Sequence, residues 1–445
     1  MSCCKINIKM KVHFIGIGGI GVSALAQYYL AKGHEVSGSD LVVSEMTDFL
    51  KNKDIKICIG NKESNITKDL DLVVYSPAVQ QNNPEYKRAE DLSIILKSYP
   101  KALGELTKEY FTIAVAGAHG KSTTTAMLGL VLEKAGLNPT VIVGTKLKEF
   151  GGSNFKMGRG KFLVIEACEY DNSFLNYSPK IIVVTNVDKE HLDYFKTFKN
   201  VIKEFNNFIL RLPKDGFLVA NKDNKYIPKF IKPKFNIKYY SIKQKETVKL
   251  KKILKIPGQH NISNALAALT VARILNIPDN ISFKALSTYK GSWRRFEIKI
   301  AEIRGISRGK TQKIIIISDY GHHPNEILAT LKATREKYPD KKIWCIFQPH
   351  QYQRTYYLFK DFVKVFRRVP INNIIITDIY DVAGREEKKI SSSVSSEKLV
   401  KKIAKKNVKY FPAQKAENYV KERIKNGEML IIMGAGDIYK LADRF

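Results

Sequence analysis

The sequence lacks a hydrophobic run long enough to cross a lipid bilayer. Its longest apolar runs, such as the isoleucines of KIIIISD at residues 313–319, have the length of a β-strand and fall far short of the roughly 20 residues that a spanning helix needs. The first 21 residues run directly into a strand and a glycine loop, without a leader-like apolar block. These features predict a protein without membrane association that works in the cytoplasm.

Cysteine is scarce, and its distribution excludes a disulfide framework. The only cysteines close together in sequence are adjacent to each other, which is not the spacing of a metal or redox motif. We therefore expect reduced thiols. The five cysteines are Cys3, Cys4, Cys58, Cys168 and Cys345.

Acidic residues are also few, since 43 aspartates and glutamates face 75 lysines and arginines, for a formal charge of +32. Such a charge is compatible with a nucleic-acid partner. The lysines are scattered as surface pairs, however, and no segment interleaves basic residues with aromatic side chains on which bases stack. We expect no nucleic-acid partner, and a positive field would instead attract small polyanionic substrates.

The length of 445 residues is too great for one ordinary core and favours about three domains. Strand and helix patterns alternate along the chain, which is typical of parallel α/β units. We predict three consecutive α/β domains at residues 1–108, 109–290 and 291–445. The first and last are Rossmann-like, the central one carries a phosphate loop, and the last begins with the strand KIIIISD.

The first glycine motif is GxGxxG, formed by Gly16, Gly18 and Gly21 between a predicted strand and helix, with Asp40 at the end of the next strand. Such glycines let backbone amides approach a diphosphate at the positive end of a helix. By itself the motif indicates a nucleotide diphosphate of unspecified kind. An NAD-dependent dehydrogenase and a purely structural turn both stay open at this point.

A second phosphate loop, GAHGKST at residues 117–123, also lies between a strand and a helix. It is shorter than the Walker pattern, which would need glycine at Val115. Its chemistry is retained, because Lys121 can bridge the β- and γ-phosphates of ATP and the Ser122 hydroxyl can bind Mg²⁺. The motif predicts ATP binding.

Acidic residues follow the next buried strand, in KFLVIEACEYD, and a histidine follows another, in TNVDKEHLDY. Glu166 and His191 are the candidates to hold a divalent ion that offsets the repulsion between a phosphate and a carboxylate. Glu169 and Asp171 are additional candidates, although a solvated loop explains them equally well. Six of the eight histidines lie at strand ends or helix starts, where α/β sites form. They are His119, His191, His260, His322, His323 and His350.

The order of these motifs resembles the Mur ligases over about residues 11–440. The segments that carry the resemblance are HFIGIGGIGVSALA, GSD at Gly38, AVAGAHGKSTTT, EACEYDNSFL, VVTNVDKEHLDY, IPGQHNISNALAA, GSWRRFE, SDYGHHPNEI and FQPHQYQRT. The resemblance implies that ATP activates the carboxylate of UDP-N-acetylmuramate as an acyl phosphate, which the amine of L-alanine then attacks. It also implies Mg²⁺, with two ions expected, and a monomer or weak homodimer.

The resemblance assigns each substrate to a set of residues. The UDP-sugar set is Gly16, Gly18, Gly19, Gly21, Ser23, Asp40 and Ser76. The ATP set is Gly117, Ala118, His119, Gly120, Lys121, Ser122, Thr123, His260, Asn261, Asn264, Arg295 and Asp319. The amino-acid set is Arg354, His350 and His323, the metal set is Ser122, Glu166 and His191, and the catalytic set is Lys121, Glu166 and His191.

Three positions depart from the commoner family pattern. Cys168 stands where aspartate is frequent, Glu190 replaces the aspartate before His191, and Gln351 stands where arginine is common. The last change leaves more of the expected substrate binding to Arg354. A related ligase that attaches a preformed peptide, and a nucleic-acid-binding ATPase that uses the phosphate loop, are the alternative hypotheses.

Overall fold

The computed structural model describes residues 9–230, 236–304, 311–382 and 388–445. The strands within these ranges form three separate sheets of five, seven and six strands. The prediction of three consecutive α/β domains is therefore confirmed. Cys58, Cys168 and Cys345 are free thiols, whereas Cys3 and Cys4 lie outside the described residues.

The N-terminal domain has a fully parallel sheet in the order β3-β2-β1-β4-β5. Its first strand, with the burial of a core strand, runs straight into the first glycine turn. The strands are β1 (Lys11–Ile15), β2 (Glu35–Asp40), β3 (Lys56–Ile59), β4 (Leu72–Tyr75) and β5 (Ile95–Ser98). The helices are α1 (Ile20–Ala31), α2 (Glu45–Lys51), α3 (Pro84–Asp91) and α4 (Tyr99–Glu109).

The central domain has a sheet in the order β12-β11-β10-β6-β9-β7-β8, parallel except for β8 at the edge. Its inner strands are continuous apolar runs because helices cover both faces. The strands are β6 (Phe111–Ala116), β7 (Thr140–Leu147), β8 (Ser153–Lys156), β9 (Phe162–Glu166), β10 (Ile181–Val184), β11 (Phe217–Asn221) and β12 (Asn236–Tyr240). The helices are α5 (Lys121–Lys134), α6 (Leu192–Phe195), α7 (Phe198–Ile209), α8 (Ile227–Phe230), α9 (Glu246–Ile253), α10 (Gln259–Ile274) and α11 (Asp279–Leu286).

The C-terminal domain has the sheet order β13-β14-β18-β15-β16-β17. KIIIISD was predicted to open this domain, and that prediction was wrong, because the preceding strand β13 pairs antiparallel with β14. The strands are β13 (Glu297–Arg304), β14 (Thr311–Asp319), β15 (Ile343–Phe347), β16 (Asn373–Ile376), β17 (Val408–Tyr410) and β18 (Met429–Met433). The helices are α12 (Pro324–Lys337), α13 (Tyr352–Tyr357), α14 (Phe359–Arg368), α15 (Lys388–Ser391), α16 (Ser396–Ile403) and α17 (Ala413–Arg423).

The N-terminal and central domains share one buried apolar cluster. It runs from Phe14 in the first sheet through Leu103 on α4 to Phe174 in the central domain. Beside it, the Gln27 amide on α1 donates to Asn154 Oδ1 at 2.8 Å. A shared core and a buried polar contact fix these two domains together.

No helix in the described part of the chain combines the length and the apolar character that crossing a membrane requires.

Candidate active site between the domains

Backbone amides of the first glycine turn form hydrogen bonds with other residues of the N-terminal domain. Gly16 has φ +76°, a conformation that favours glycine, and its amide donates to the Ser39 carbonyl at 2.8 Å. The amide of Gly18 donates to Asp40 Oδ2 at 2.8 Å. Asp40 therefore orders the turn itself in this structure. Gly19 is the exposed residue of the turn.

Two neighbours pack closely against this turn. A Cβ on Gly16 would lie 3.0 Å from Cβ of Ser76, and a Cβ on Gly21 would lie 2.7 Å from the ring of Tyr99. Ser76, which was predicted in the UDP-sugar set, therefore lies beside the turn, directly after β4. The glycines are required here for backbone proximity.

Ser23 was expected at the UDP-sugar site, but its side chain is not accessible there. It is completely buried on α1. Its hydroxyl donates to the Ile20 carbonyl at 3.0 Å and accepts from the Asn154 amide at 3.0 Å. Because the bond from Asn154 crosses to the central domain, Ser23 has a structural position in that contact.

The second phosphate loop holds its lysine against a buried acid. Gly117 and Gly120 have φ +140° and +82°, and α5 begins directly after them. Nζ of Lys121 donates to the Gly117 carbonyl at 2.6 Å and to Glu169 Oε2 at 3.0 Å. Burial lowers the pKa of Lys121, but Glu169 and its neighbours outweigh this effect and raise the pKa above its ordinary value. Lys121 is therefore charged at the mouth of the loop.

The remaining residues of this loop lie at the positive end of α5. Ser122 and Thr123 are buried in its first turn, and the Ala118 amide donates to the Asn186 carbonyl at 3.2 Å. An N-terminal helix turn after a glycine loop is a favourable site for a phosphate.

The acidic residues after β9 differ in exposure, and only one of the two that were equally compatible with a solvated loop is exposed. Glu169 is only 1% exposed, so a solvated loop does not explain it, whereas Asp171 is exposed. Glu166 accepts a hydrogen bond from the Gly144 amide at 2.8 Å. Between them, burial raises the pKa of the Cys168 thiol to about 11, which keeps it neutral near pH 7. Glu169 is thus the acid that pairs with the phosphate-loop lysine.

His191 immediately precedes α6 with φ +54°. Its ring centroid lies 4.9 Å from that of Tyr170. Burial lowers the pKa of His191, and among the nearby charges those of Glu190 and Glu169 act in the opposite direction. A neutral imidazole can ligate a metal. The pairing of His191 with Glu166 around one ion stays a prediction.

A cavity of about 330 Å³ opens between the central and C-terminal domains. Eight residues of the predicted ATP set line it, from both domains: His119, Gly120, Thr123, His260, Asn261, Asn264, Arg295 and Asp319. A Cβ on Gly120 would collide with Asn264, which shows how closely the loop and α10 approach. The fold thus collects residues that lie 200 positions apart in sequence around one nucleotide-sized space.

Several residues of this cavity were not predicted from the sequence. Ile242, Ile256, Phe296 and Ala329 supply apolar surface, and Asn221 and Asp223 supply polar groups at the end of β11 and just past it. The strand-end position of the two polar residues was a usable signal. No periodic pattern marks the apolar ones, because they come from loops and helices of two domains.

Asp319 lines the cavity while holding its own domain together. Its carboxylate accepts from the amides of Phe296 and Gly321, both at 2.9 Å, and from the Thr330 hydroxyl at 3.3 Å. Burial raises its pKa above the ordinary value. Asp319 therefore has a structural role, and its expected contact with ATP stays a prediction.

His119 connects the phosphate loop to the C-terminal domain. Its Nε2 lies 3.1 Å from Asp188 Oδ2 and its Nδ1 lies 3.3 Å from Glu326 Oε1. Burial lowers the pKa of His119, but the hydrogen bond to Asp188 and the nearby Glu326 carboxylate outweigh it and raise the pKa to about 10. Asn325 next to Glu326 also donates to Asp188 at 2.5 Å. A charged histidine thus lies between two acids from opposite sides of the interface.

His323 caps α12 and is 3% exposed. One ligand-type atom from each of His119, Glu190 and His323 lies within 4.8 Å of the others. The Nδ1 of His323, however, accepts from the Asn325 amide at 3.2 Å, so the ring proton sits on Nε2. In this arrangement Nε2 carries a proton and cannot ligate a metal, and it makes no hydrogen bond with the described residues.

Arg354 and Glu190 form a buried ion pair across the same interface. The guanidinium lies 3.2 Å from Glu190 Oε2, and the two side chains are 8% and 4% exposed. Arg354 also donates to the His350 carbonyl at 3.2 Å, and the His350 ring stacks on Tyr380 at 5.5 Å. The predicted amino-acid residues Arg354 and His350 are thus brought together.

Comparison with known proteins identifies the family. The model of the Mur ligase family catalytic domain matches residues 11–111, that of the Mur ligase middle domain residues 115–272, and that of the Mur ligase glutamate ligase domain residues 294–436. The chain belongs to the Mur ligase family. This family resemblance was predicted from the motifs and is confirmed.

Individual relatives of this Mur ligase match over nearly their whole length. The UDP-N-acetylmuramate–L-alanine ligase of Clostridium kluyveri is 40% identical, covering 98% of this chain and 97% of that protein. The ligase of the same name from Alkaliphilus metalliredigens is 39% identical, covering 97% and 96%. The crystal structure of UDP-N-acetylmuramate-alanine ligase from Thermotoga maritima is 26% identical, covers 98% of both chains and has a TM-score of 0.77.

Proposed function

We propose that this Mur ligase forms the amide bond between the carboxylate of UDP-N-acetylmuramate and L-alanine, in the synthesis of a peptidoglycan precursor, with ATP converted to ADP and phosphate. The observation that carries this proposal is the convergence of eight residues of the ATP set on one interdomain cavity, at the domain interface that also contains the buried Arg354. Full-length relatives at 39 to 40% identity bear the name of this reaction. ATP is a substrate found in the cytoplasm, where we expect the enzyme to work.

The reaction has two steps. A carboxylate oxygen of the sugar nucleotide attacks the γ-phosphorus and ADP leaves. The α-amine then attacks the acyl carbon, phosphate leaves with the carbon–oxygen electron pair, and the nitrogen loses a proton. Lys121 orients the phosphates and neutralises their charge as it develops. The closed interface excludes the water that would hydrolyse an acyl phosphate.

Magnesium fits the oxygen donors of Ser122 and Glu166, with His191 as a nitrogen ligand. A bound divalent ion would reduce the repulsion between the phosphates and the sugar carboxylate. Two ions are our expectation for the complete site.

The other substrates are assigned to the remaining sets. We place the UDP diphosphate at Gly16, Gly18, Gly19 and Gly21, beside Asp40 and Ser76. We place the amino-acid carboxylate at Arg354, because a guanidinium binds carboxylates through two parallel hydrogen bonds. His350 and His323 lie at the same end of the interface.

Further proposals concern the molecule as a whole. We place the domain boundaries at 108/109 and 290/291. We expect the protein to be a monomer or a weak homodimer. We expect that it does not bind nucleic acids. Sedimentation measures the association state. Salt-dependent binding of an oligonucleotide at physiological ionic strength would contradict the last proposal.

Phosphate release tests the reaction. The purified protein is mixed with ATP, Mg²⁺ and UDP-N-acetylmuramate, and then with L-alanine, glycine, L-serine or a tripeptide. We expect release that requires both the sugar nucleotide and an amino acid, with L-alanine fastest. Turnover of NAD, stimulation by DNA, or preference for the tripeptide would contradict the proposal.

A further inference from the structure

The two carboxylate oxygens of Glu190 have different surroundings. Oε2 faces the Arg354 guanidinium at 3.2 Å. Oε1 is buried and makes no hydrogen bond with any residue that the structure describes. A buried, charged oxygen without a donor costs free energy, and such a group usually marks the place of a ligand or water.

The nearest histidine does not satisfy this oxygen. Nε2 of His322 lies 3.8 Å from Glu190 Oε1. Nδ1 of the same ring faces the Tyr320 carbonyl at 3.1 Å, and a carbonyl only accepts, so Nδ1 carries the proton. Because burial lowers the pKa of His322 to about 4, Nε2 is unprotonated near pH 7 and cannot donate.

The neighbouring acids, in contrast, are already occupied. Glu326 accepts from the His322 amide at 3.1 Å and from Arg295 at 3.3 Å. Asp188 accepts from Asn325 and faces His119. Among these three acids of the interface, Glu190 retains an unused acceptor, and it is the one paired with Arg354.

We propose that Glu190 binds the α-ammonium group of the incoming amino acid through Oε1. Oε2 meanwhile holds Arg354, whose guanidinium binds the α-carboxylate. One acid and one arginine would then recognise the two opposite charges that every free amino acid carries. This inference rests on the proposed function and names a residue that was not in the predicted amino-acid set.

Glu190 belongs to the central domain and Arg354 to the C-terminal domain, so movement of the two domains controls access to the pair. A crevice of about 10 Å³ is lined by Glu190, His191, Arg354 and Tyr357, enough for about one water molecule. L-alanine would therefore enter when Glu190 and Arg354 separate, and the pair would form again beside the bound amino acid.

The test uses the full-length enzyme and Glu190→Gln. Steady-state phosphate release gives the KM for L-alanine, and propionate, which has the carboxylate without the amine, serves as a competitive inhibitor. We expect the KM for L-alanine to rise roughly tenfold to a hundredfold, because a charge-assisted bond is lost. Inhibition by propionate should not weaken. Glu190→Asp keeps the charge and should recover most of the L-alanine affinity.

Glu417→Gln is the matched control. Glu417 is also a buried glutamate paired with an arginine, Arg444, at 3.3 Å, but it lies on α17 outside the cavity. Its KM for L-alanine should equal that of the wild type. Thermal midpoints of all variants identify any loss of folding. If Glu190→Gln does not fold, the KM for L-alanine and the inhibition by propionate are compared between Glu190→Asp and the wild type.

Two results would overturn the inference. One is an unchanged KM for L-alanine in Glu190→Gln. The other is an equal weakening of L-alanine and propionate, which would mean that Glu190 acts only by holding Arg354. Replacing the amino acid with hydroxylamine captures the activated carboxylate as a hydroxamate. Normal hydroxamate formation in Glu190→Gln localises the defect to amine binding, whereas no activity in the wild type would contradict the proposed function instead.

Discussion

Nζ of Lys121 lies 3.0 Å from Oε2 of Glu169, and the two side chains are only 12% and 1% exposed. The phosphate-loop lysine thus has a buried counter-charge from its own domain. Bound phosphates would share the lysine with Glu169, and the pair keeps the positive charge of the loop in a fixed position.

Replacing Lys121 with alanine should abolish phosphate release, because the charge on the transferred phosphate is no longer offset. Binding of UDP-N-acetylmuramate, measured by calorimetry, should stay nearly intact, since the first glycine turn lies in another domain. Lys134→Ala, at the exposed end of the same helix, is the control and should be fully active. Loss of sugar-nucleotide binding in Lys121→Ala would contradict separate sites.

Replacing Gly120 with alanine should prevent ATP binding. The residue has φ +82°, and a Cβ there would collide with Asn264 inside the cavity. Gly136→Ala is a close control, because Gly136 has φ +76° with no atom within 4 Å of an added Cβ. Both variants should lose about 1 kcal/mol of stability from backbone strain. An equal ATP affinity in the two variants would show that contact with Asn264 is unimportant.

Replacing Arg354 with alanine should raise the KM for L-alanine roughly tenfold to a hundredfold with a smaller change in the KM for ATP. It should also lower the free energy of unfolding by about 3 kcal/mol, because Glu190 is left buried without its partner. Arg368→Ala, at the exposed end of α14, should change neither quantity. A normal KM in Arg354→Ala would refute the assigned role.

The contribution of His119 to the stability of the folded protein should decrease as the pH rises. The histidine has an ordinary pKa of 6.5 when unfolded and about 10 when folded, where burial lowers the pKa but the hydrogen bond to Asp188 and the Glu326 carboxylate outweigh that effect. The folded state holds the proton more tightly, so this stabilisation is complete below about pH 6.5 and is lost as the pH rises towards 10. The difference in thermal midpoint between wild type and His119→Gln should therefore shrink from pH 7 to pH 10. The corresponding difference for His34→Gln, in the N-terminal domain, should stay constant.

The sequence predicted well those features that depend on local pattern. Continuous apolar runs such as FLVIE of β9 identified buried parallel strands, and the two glycine loops were found at the correct strand–helix junctions. The strand β13 was missed because an edge strand whose described side chains are mostly exposed carries a weak signal. Its antiparallel pairing depends on β14, and a single strand pattern does not show it.

The candidate site was predicted less completely, because its contacts cross domains. Glu169 is three residues past the end of a buried strand, and only the fold shows that it faces Lys121. Ser23 has the polarity of a ligand contact, but the packing of α1 against β8 buries it. Charge pairs such as Arg354 and Glu190 are separated by 164 positions, and no single-sequence pattern connects them.

The position of His119 affects how inhibitors of this enzyme would be interpreted. His119 belongs to the phosphate loop and also contacts Glu326 of the C-terminal domain. A compound bound between these two residues would therefore displace the loop without occupying the nucleotide cavity. Kinetic competition with ATP would therefore not distinguish a nucleotide mimic from a molecule that holds the two halves apart. Scattering measurements of overall shape would separate the two classes.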